Sequence, residues 1–397
     1  MKKVLGTDWF KDIVMGIQYL FVAAGATILV PILTGIPASV CLFTAGIGTL
    51  IFHLITKGKI PVLLSSSFAF IAPIVLVSEM YGQQYAFGGI VIAGIIYLLL
   101  SLLIYIIGLE RIIKLFPPVV SSTMVILIGL ILAPTAIQNA SVNWGIALFT
   151  LAVGLFIKYK FPDRIFGALS ILFALIFGTI ISYIFGFIDI NTVREAKLFG
   201  VPNFSYPLFS ASSIMIIAPV AIVTFLEHFA DISAVGRVVD KNFLKDPGVH
   251  RTLLGDGIAT AIAGCLGGCP NTTYSENIGA LEITGVKKPI TLQITAILLI
   301  ILSFFPKLAM VIHSIPAPVI GGISILLFGM IASSGIKGLV SEKVDLSDYK
   351  NMSIVSAMLV IGVGGTVINL FGIDFSSLAI AALVGVFINL LLTKKTN

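Results

Sequence analysis

Hydrophobic positions along this chain gather into long continuous runs rather than alternating with polar ones. The runs are about 20 residues long, the length a helix needs to cross the hydrocarbon core of a bilayer. Stretches such as "GIIYLLLSLLIYIIGL" (residues 94–109) have no two-residue alternation, which excludes a membrane barrel. The pattern predicts an all-α polytopic membrane protein with fourteen segments, near 13–34, 36–56, 61–79, 86–109, 117–137, 142–158, 163–187, 212–233, 252–268, 271–285, 289–306, 315–335, 351–371 and 374–393.

Two of these segments, the third and the tenth, are broken. "SSSFAFIAP" (Ser65–Pro73) brings three serines and two aromatics before a short apolar run, and "PNTTYSENIG" (Pro270–Gly279) brings Asn, two threonines and a tyrosine before another. Each predicts a short extended strand followed by a half-helix. Seven segments per half forces the second half to start on the opposite face, so the halves are expected to be inverted repeats. Transporters built this way bind solute near mid-membrane, where discontinuous helices of the two halves meet. Irregular backbone survives at that depth only where protein or a polar cavity satisfies it. A pair of tightly packed, unbroken helices is the simpler alternative, and Pro270 argues against it.

Charge sharpens the count. With an even number of crossings both termini share a side, and both are basic (Lys2, Lys3, Lys394, Lys395). Placing them in the cytoplasm puts every Lys and Arg there except Arg194, Lys197 and Lys307. "VGRVVDKNFLKDPGVH" (Val235–His250) then reads as a polar cytoplasmic connector, and "MKKVLGTDWFKD" has no cleavable-signal pattern. The net charge of +6 is therefore an orientation signal and not a nucleic-acid footprint. Cys41, Cys265 and Cys269 form neither a disulfide framework nor a metal-ligand set. No phosphate loop or nucleophile–base pair is apparent, so an enzyme is not indicated.

Three acids are noted where hydrocarbon is expected: Glu227, Asp231 and Glu276. Each such charge costs about 2.5–3.5 kcal/mol on insertion scales, which makes it a functional candidate. Glu227 and Asp231 are four apart and share a helix face, an arrangement suited to carrying a proton; Asp231 could alternatively lie at the cytoplasmic helix end. Glu276 would open the tenth half-helix, where the dipole favours negative charge and an anionic solute would otherwise sit. The site thus suits a neutral, hydrogen-bond-donating solute together with a proton or cation. Glu282 is expected at the cytoplasmic end of that segment, and His228 in a packing role.

"ENIGALEITG" resembles the motif of the nucleobase–ascorbate transporter family: Gln, Glu or Pro, then Asn, any residue, Gly, four residues, Thr, and Arg, Lys or Gly. "GATILVPIL" (Gly25–Leu33), "GKIPVLLSSSFAFIAP" (Gly58–Pro73), "EHFADI" (Glu227–Ile232), "KDPGVHR" (Lys245–Arg251) and "GGISILLFGMIASSGI" (Gly321–Ile336) resemble bacterial uracil permeases in the same order. The resemblance spans nearly the whole chain. It implies a core domain (1–110 and 210–310) and a gate domain (111–209 and 311–397). It also implies substrate contacts from Glu227, Glu276, Phe68, Tyr274, Ser275, Ala26 and Phe328, proton coupling through Glu227 and Asp231, and structural roles for Asn277, Gly279 and Thr284. No cofactor beyond a co-transported proton is implied. The expected setting is the inner membrane, with uracil as the expected solute and a homodimer through the gate helices as family members often form.

Three positions depart from the pattern. Asp231 stands where many relatives have His, Phe328 where some have Tyr, and Gly285 where the uracil branch often has Arg. A purine carrier, for xanthine, urate or guanine, is the near alternative, although Glu276 speaks for uracil. An anion exchanger of similar architecture is the more distant one, and Glu276 opposes it.

Overall fold

Lipid offers backbone N–H and C=O groups no partner, so a chain this apolar has to satisfy them within its own segments, and helices do so locally. The computed structural model describes residues 5–392 except 114–115, 163, 189–190, 274, 366 and 371. In order the chain forms α1 (Leu5–Thr34), α2 (Ala38–Ile55), strand β1 (Leu64–Ser66), α3 (Ile71–Tyr81), α4 (Gln83–Ile107), α5 (Leu109–Ile113) and α6 (Pro118–Ile131). Next come α7 (Ala133–Ser141), α8 (Trp144–Lys160), α9 (Ile165–Ala168), α10 (Ser170–Ile184), α11 (Asn191–Glu195), α12 (Ala211–Ile217) and α13 (Val220–Val239). The remainder is α14 (Val249–Cys265), β2 (Asn271–Thr273), α15 (Ser275–Thr284), α16 (Pro289–Ser303), α17 (Pro306–His313) and α18 (Ala317–Ser341), then α19 (Tyr349–Val363), β3 (Ile368–Leu370), β4 (Ile373–Phe375) and α20 (Ser377–Leu392).

Each of the fourteen predicted segments contains a helix. Among the described residues, six stretches are by themselves long and apolar enough to cross a membrane, and they make the chain a multi-pass membrane protein: Trp9–Thr34, Ala38–Ile55, Gln83–Ile107, Pro118–Ser141, Ala211–Val239 and Ala317–Ser341. α16 and α17 would make a seventh, but the chain bends by 88° between them. Proline marks two further breaks, at Pro134 between α6 and α7 and at Pro219 between α12 and α13.

Two predicted boundaries are wrong. The thirteenth segment was expected to be helical to residue 371, yet α19 ends at Val363 and an antiparallel hairpin follows, with Asn369 opposite Asp374. Gly365 and Gly372 take positive φ (66° and 80°), which ends the helix and closes the hairpin turn; the apolar residues between them mimic a continuing span. The connector expected from Val235 begins instead at Asp240, because α13 continues to Val239 and ends on Asp240 in the left-handed region (φ 57°).

Packing gathers α1, α2, α4, α12, α14 and α16 into one group, while α18 packs against α6, α7 and α8, and α19 against α6 and α20. The most extensive crossing is α4 with α14. A Cβ on Gly94 would lie 2.6 Å from Ala261 N, and one on Gly264 would lie 2.9 Å from Phe87 O. Without a hydrophobic drive between helices in lipid, such small-residue contacts supply much of the association. Gly94→Val should therefore lower the unfolding temperature of detergent-extracted protein, through overpacking of about 1–3 kcal/mol. An unchanged melting curve would show that the two helices can part without penalty.

Candidate functional site

The two broken segments meet. β1 pairs antiparallel with β2, with Leu64 opposite Thr273, Ser65 opposite Thr272 and Ser66 opposite Asn271. Ser67 N donates to Pro270 O at 3.0 Å to extend the ladder. All six paired residues are buried. Neighbouring helices complete the hydrogen bonding that two three-residue strands cannot supply. Thr49 of α2 accepts from Leu64 N (2.9 Å), Asn271 Nδ2 donates to Thr44 O (2.9 Å), and Thr260 of α14 donates to Asn271 O (2.6 Å). The short ladder is thus tied on one side to α2 and on the other to α14.

Beyond the crossing each chain turns helical. Phe68–Phe70 forms a 3-10 turn that runs into α3, and α15 begins at Ser275. Because the strands are antiparallel, the two half-helices leave from opposite ends of the short ladder and run in opposite directions, each with its N-terminus at the strand pair. Helix N-termini carry free N–H groups and a positive dipole end, which suit acceptor atoms of a ligand.

α13 packs against the Phe68–Phe70 turn, β2 and α15. It carries half-buried Glu227 and also Asp231, which is only 6% exposed. Asp231 is two turns short of the helix end, so it belongs to the buried stretch of α13 and not to a solvated terminus. One turn before Glu227, Thr224 is hydrogen-bonded to Tyr97 of α4, which fixes the rotation of α13. Ala26 and Phe328 are buried in one apolar cluster, with Phe68 packed against it. Glu276 and Asn277 are in the first turn of α15, as expected. Tyr274 and the side chains of Ser275, Glu276 and Asn277 lie outside the described residues.

At the far end of α15, Thr284 donates to Ala280 O (2.6 Å) and is hydrogen-bonded to Tyr19 of α1 (3.0 Å). That contact gives the motif threonine a physical role, since it ties the half-helix to α1. Gly279 has no comparable explanation, because a Cβ there would meet nothing within 4 Å. Glu282 is exposed.

His228 does more than pack. Its Nδ1 lies 2.8 Å from Asp256 Oδ2, and both side chains are about 1% exposed. Its Nε2 lies 2.8 Å from Thr252 Oγ1, and that hydroxyl donates its own proton to Val249 O at 3.0 Å. Both ring nitrogens of His228 are thus engaged, Nε2 with the Thr252 hydroxyl and Nδ1 with the Asp256 carboxyl group. Asp256 Oδ2 also accepts from Thr273 N (3.3 Å), so the pair clamps α13 and α14 onto the end of β2, directly before Tyr274. Asp256 was missed in the sequence, although it stands inside the ninth predicted segment and satisfies the same intramembrane-acid criterion as Glu227. Among the described residues no group of three or more His, Cys, Asp or Glu could hold a metal ion.

The profile of the Permease family matches residues 10–371. The uracil permease of Bacillus subtilis (strain 168) is 41% identical over 404 residues, covering 96% of this chain and 93% of its own length. The uracil permease of Escherichia coli (strain K12) is 38% identical over 393 residues, covering 96% and 91%. Among solved structures, the transmembrane domain of the cyanobacterial bicarbonate transporter BicA superposes with a TM-score of 0.66 at 18% identity, covering 97% of this chain and 98% of that one. SLC26A9 gives a TM-score of 0.70 at 12% identity, covering 96% and 65%. At these identities the two structures speak for the fold alone.

Proposed function

This chain belongs to the permease family that includes the bacterial uracil permeases, and is a transporter and not an enzyme; from that premise we propose that it imports uracil together with a proton. The observation that carries the reading is the β1–β2 crossing, from which two half-helices start, beside the acid-bearing helix α13. Uracil is flat and neutral, with two ring N–H donors and two carbonyl acceptors. Glu227 and Glu276 would accept from the ring N–H groups. Backbone N–H groups at Phe68 and at Ser275–Glu276 would donate to the carbonyls, while Phe68 or Tyr274 stacks on a ring face. Ala26 leaves room beside the ring, and Phe328 closes the site from the opposite group of helices.

The polypeptide would cross the bacterial inner membrane fourteen times as two inverted repeats, with both termini cytoplasmic. Spans one to four and eight to eleven (1–110 and 210–310) would form the core, and the rest (111–209 and 311–397) the gate. The segregation of α1, α2, α4, α12, α14 and α16 from α6, α8, α18, α19 and α20 supports that division. Protonation at Glu227, with Asp231 as its partner in proton exchange, would favour uracil binding. The core would then shift against the gate, and proton loss on the inner side would release the solute. A homodimer through the gate would give each subunit a fixed body for its core to move against; crosslinking in membranes tests it.

Cells lacking their own uracil carrier should accumulate labelled uracil when they express this chain. Unlabelled uracil should compete, whereas xanthine, guanine and urate should not; competition by a purine would reassign the substrate. Inverting the proton gradient across right-side-out vesicles should abolish concentrative uptake. Accumulation that ignores the gradient would remove the proton from the cycle.

A further inference from the structure

The β3–β4 hairpin joins α19 to α20, yet its polar contacts reach to the other group of helices. The Asp374 carboxylate accepts from the Tyr81 hydroxyl at the end of α3. Asp374 N donates to Ser212 Oγ in α12 at 3.2 Å, and Ser212 also bonds the Tyr81 hydroxyl. Ser376 Oγ, just past the hairpin, reaches Ile216 O of α12 at 3.4 Å. Within the hairpin Asn369 Nδ2 donates to Asp374 Oδ1 at 2.6 Å. The Tyr81 and Asn369 hydrogen bonds hold Asp374 below the usual carboxylate range, so it is an ionised acceptor at neutral pH.

Beneath this segment lies a cavity of about 210 Å³. Ala69, Ala72 and Leu76 form one wall, Ile128 and Ile131 of α6 another, and Leu378 of α20 closes it near the hairpin. Ala69 follows Phe68 directly, so the cavity adjoins the strand crossing. It lies between the two helix groups and is mostly apolar; of its two serines, Ser376 makes the contact to Ile216 O given above and Ser377 donates to Gly362 O at the end of α19. The ties between the two groups here are those of the hairpin and Ser376. Gly365 and Gly372, both at positive φ, allow the chain to leave α19 and to turn between the two strands.

We infer that the β3–β4 hairpin is the outer gate of the transport path, and that Asp374, through Tyr81 and Ser212, is the latch that holds it shut. The inference rests on the alternating-access reading above, in which α3 and α12 belong to the core and the hairpin to the gate. With those ties in place the cavity is the closed outer half of the path. Opening requires the Asp374 contacts to break as core and gate separate, and closure remakes them behind an incoming solute.

The test reads access to the cavity without using substrate. Ala72→Cys is introduced into the full chain, and its reaction with a membrane-impermeant maleimide is timed in intact cells, against the parent chain as the background from Cys41, Cys265 and Cys269. Adding Asp374→Ala, or separately Tyr81→Phe, should raise the labelling rate about tenfold, as expected for losing a hydrogen bond to a charged group. Uracil binding to detergent-extracted Asp374→Ala should stay close to that of the parent, which separates a gating defect from a misfolded site. Tyr81→Cys with Asp374→Cys, joined by a reducible bifunctional reagent, should stop uptake, and dithiothreitol should restore it. Labelling of the latch variants at the parent rate, no labelling of Ala72→Cys in any background, or continued uptake by the crosslinked protein would each overturn the gate. Should the unaltered chain fail to move uracil, the proposed function falls while the labelling result still decides the gate.

Discussion

Glu276→Ala protein should bind uracil at least about a hundredfold more weakly than the unaltered chain. The substitution removes a charged acceptor and leaves a ring N–H buried without a partner; the two effects together are worth about 3 kcal/mol. α15 begins at Ser275, so residue 276 sits in its first turn, at the N-terminal end of the half-helix dipole and next to the strand pair. Glu282 is the control, since it is on the same helix but exposed. Glu282→Ala should leave affinity unchanged. Isothermal titration or scintillation proximity with detergent-extracted protein measures both. Near-normal affinity in Glu276→Ala would falsify the proposed site, whereas equal losses in both variants would indicate damage to α15 as a whole.

The second large effect is expected at the buried pair of His228 and Asp256. Asp256→Ala leaves His228 Nδ1 and Thr273 N buried without their shared partner, and each polar group stranded in this way costs about 1–3 kcal/mol. That is a large share of a domain's net stability. The variant should yield little folded protein, read as a loss of the monodisperse peak on size exclusion. Asp256→Asn is the informative companion, because it keeps an acceptor for Thr273 N and a polar partner for His228 Nδ1. It should fold, with a lowered melting temperature and weakened uracil binding, because the pair positions β2 immediately before Tyr274. An Asp256→Ala protein that melts and binds like the parent would show that the pair holds nothing in place.

The strand crossing was legible in the chain before any coordinates. Ser65–Ser67 and Pro270–Thr273 interrupt apolar runs with residues whose backbone and hydroxyl groups cannot be left unsatisfied in lipid, and only mutual pairing or a polar cavity resolves that. Glu227 and Glu276 stand out in the chain on a related ground, since an acid is costly in hydrocarbon and is a functional candidate wherever one is placed there. Asp256 meets that criterion too. It sits in "LLGDGIAT", where flanking glycines resemble a packing motif, and its partner His228 is 28 residues away, so nothing local announces the pair. The hairpin at 368–375 was hidden by composition, because "VINLFGIDF" is as apolar as the helix before it.

By itself, then, the amino-acid order determined that this is a helical membrane protein and where its helices break. These are properties of local chemistry against a uniform apolar solvent, which each segment meets alone. The tertiary structure decided the rest: which residues of the two breaks stand opposite one another, that His228 is paired and not merely packed, that Thr284 anchors to Tyr19, and that a short hairpin ties two groups of helices across a closed cavity. Each of these depends on groups far apart in the chain coming within about 3 Å, and hydrogen bonds and ion pairs fall off too steeply with distance and angle for residue spacing to reveal them.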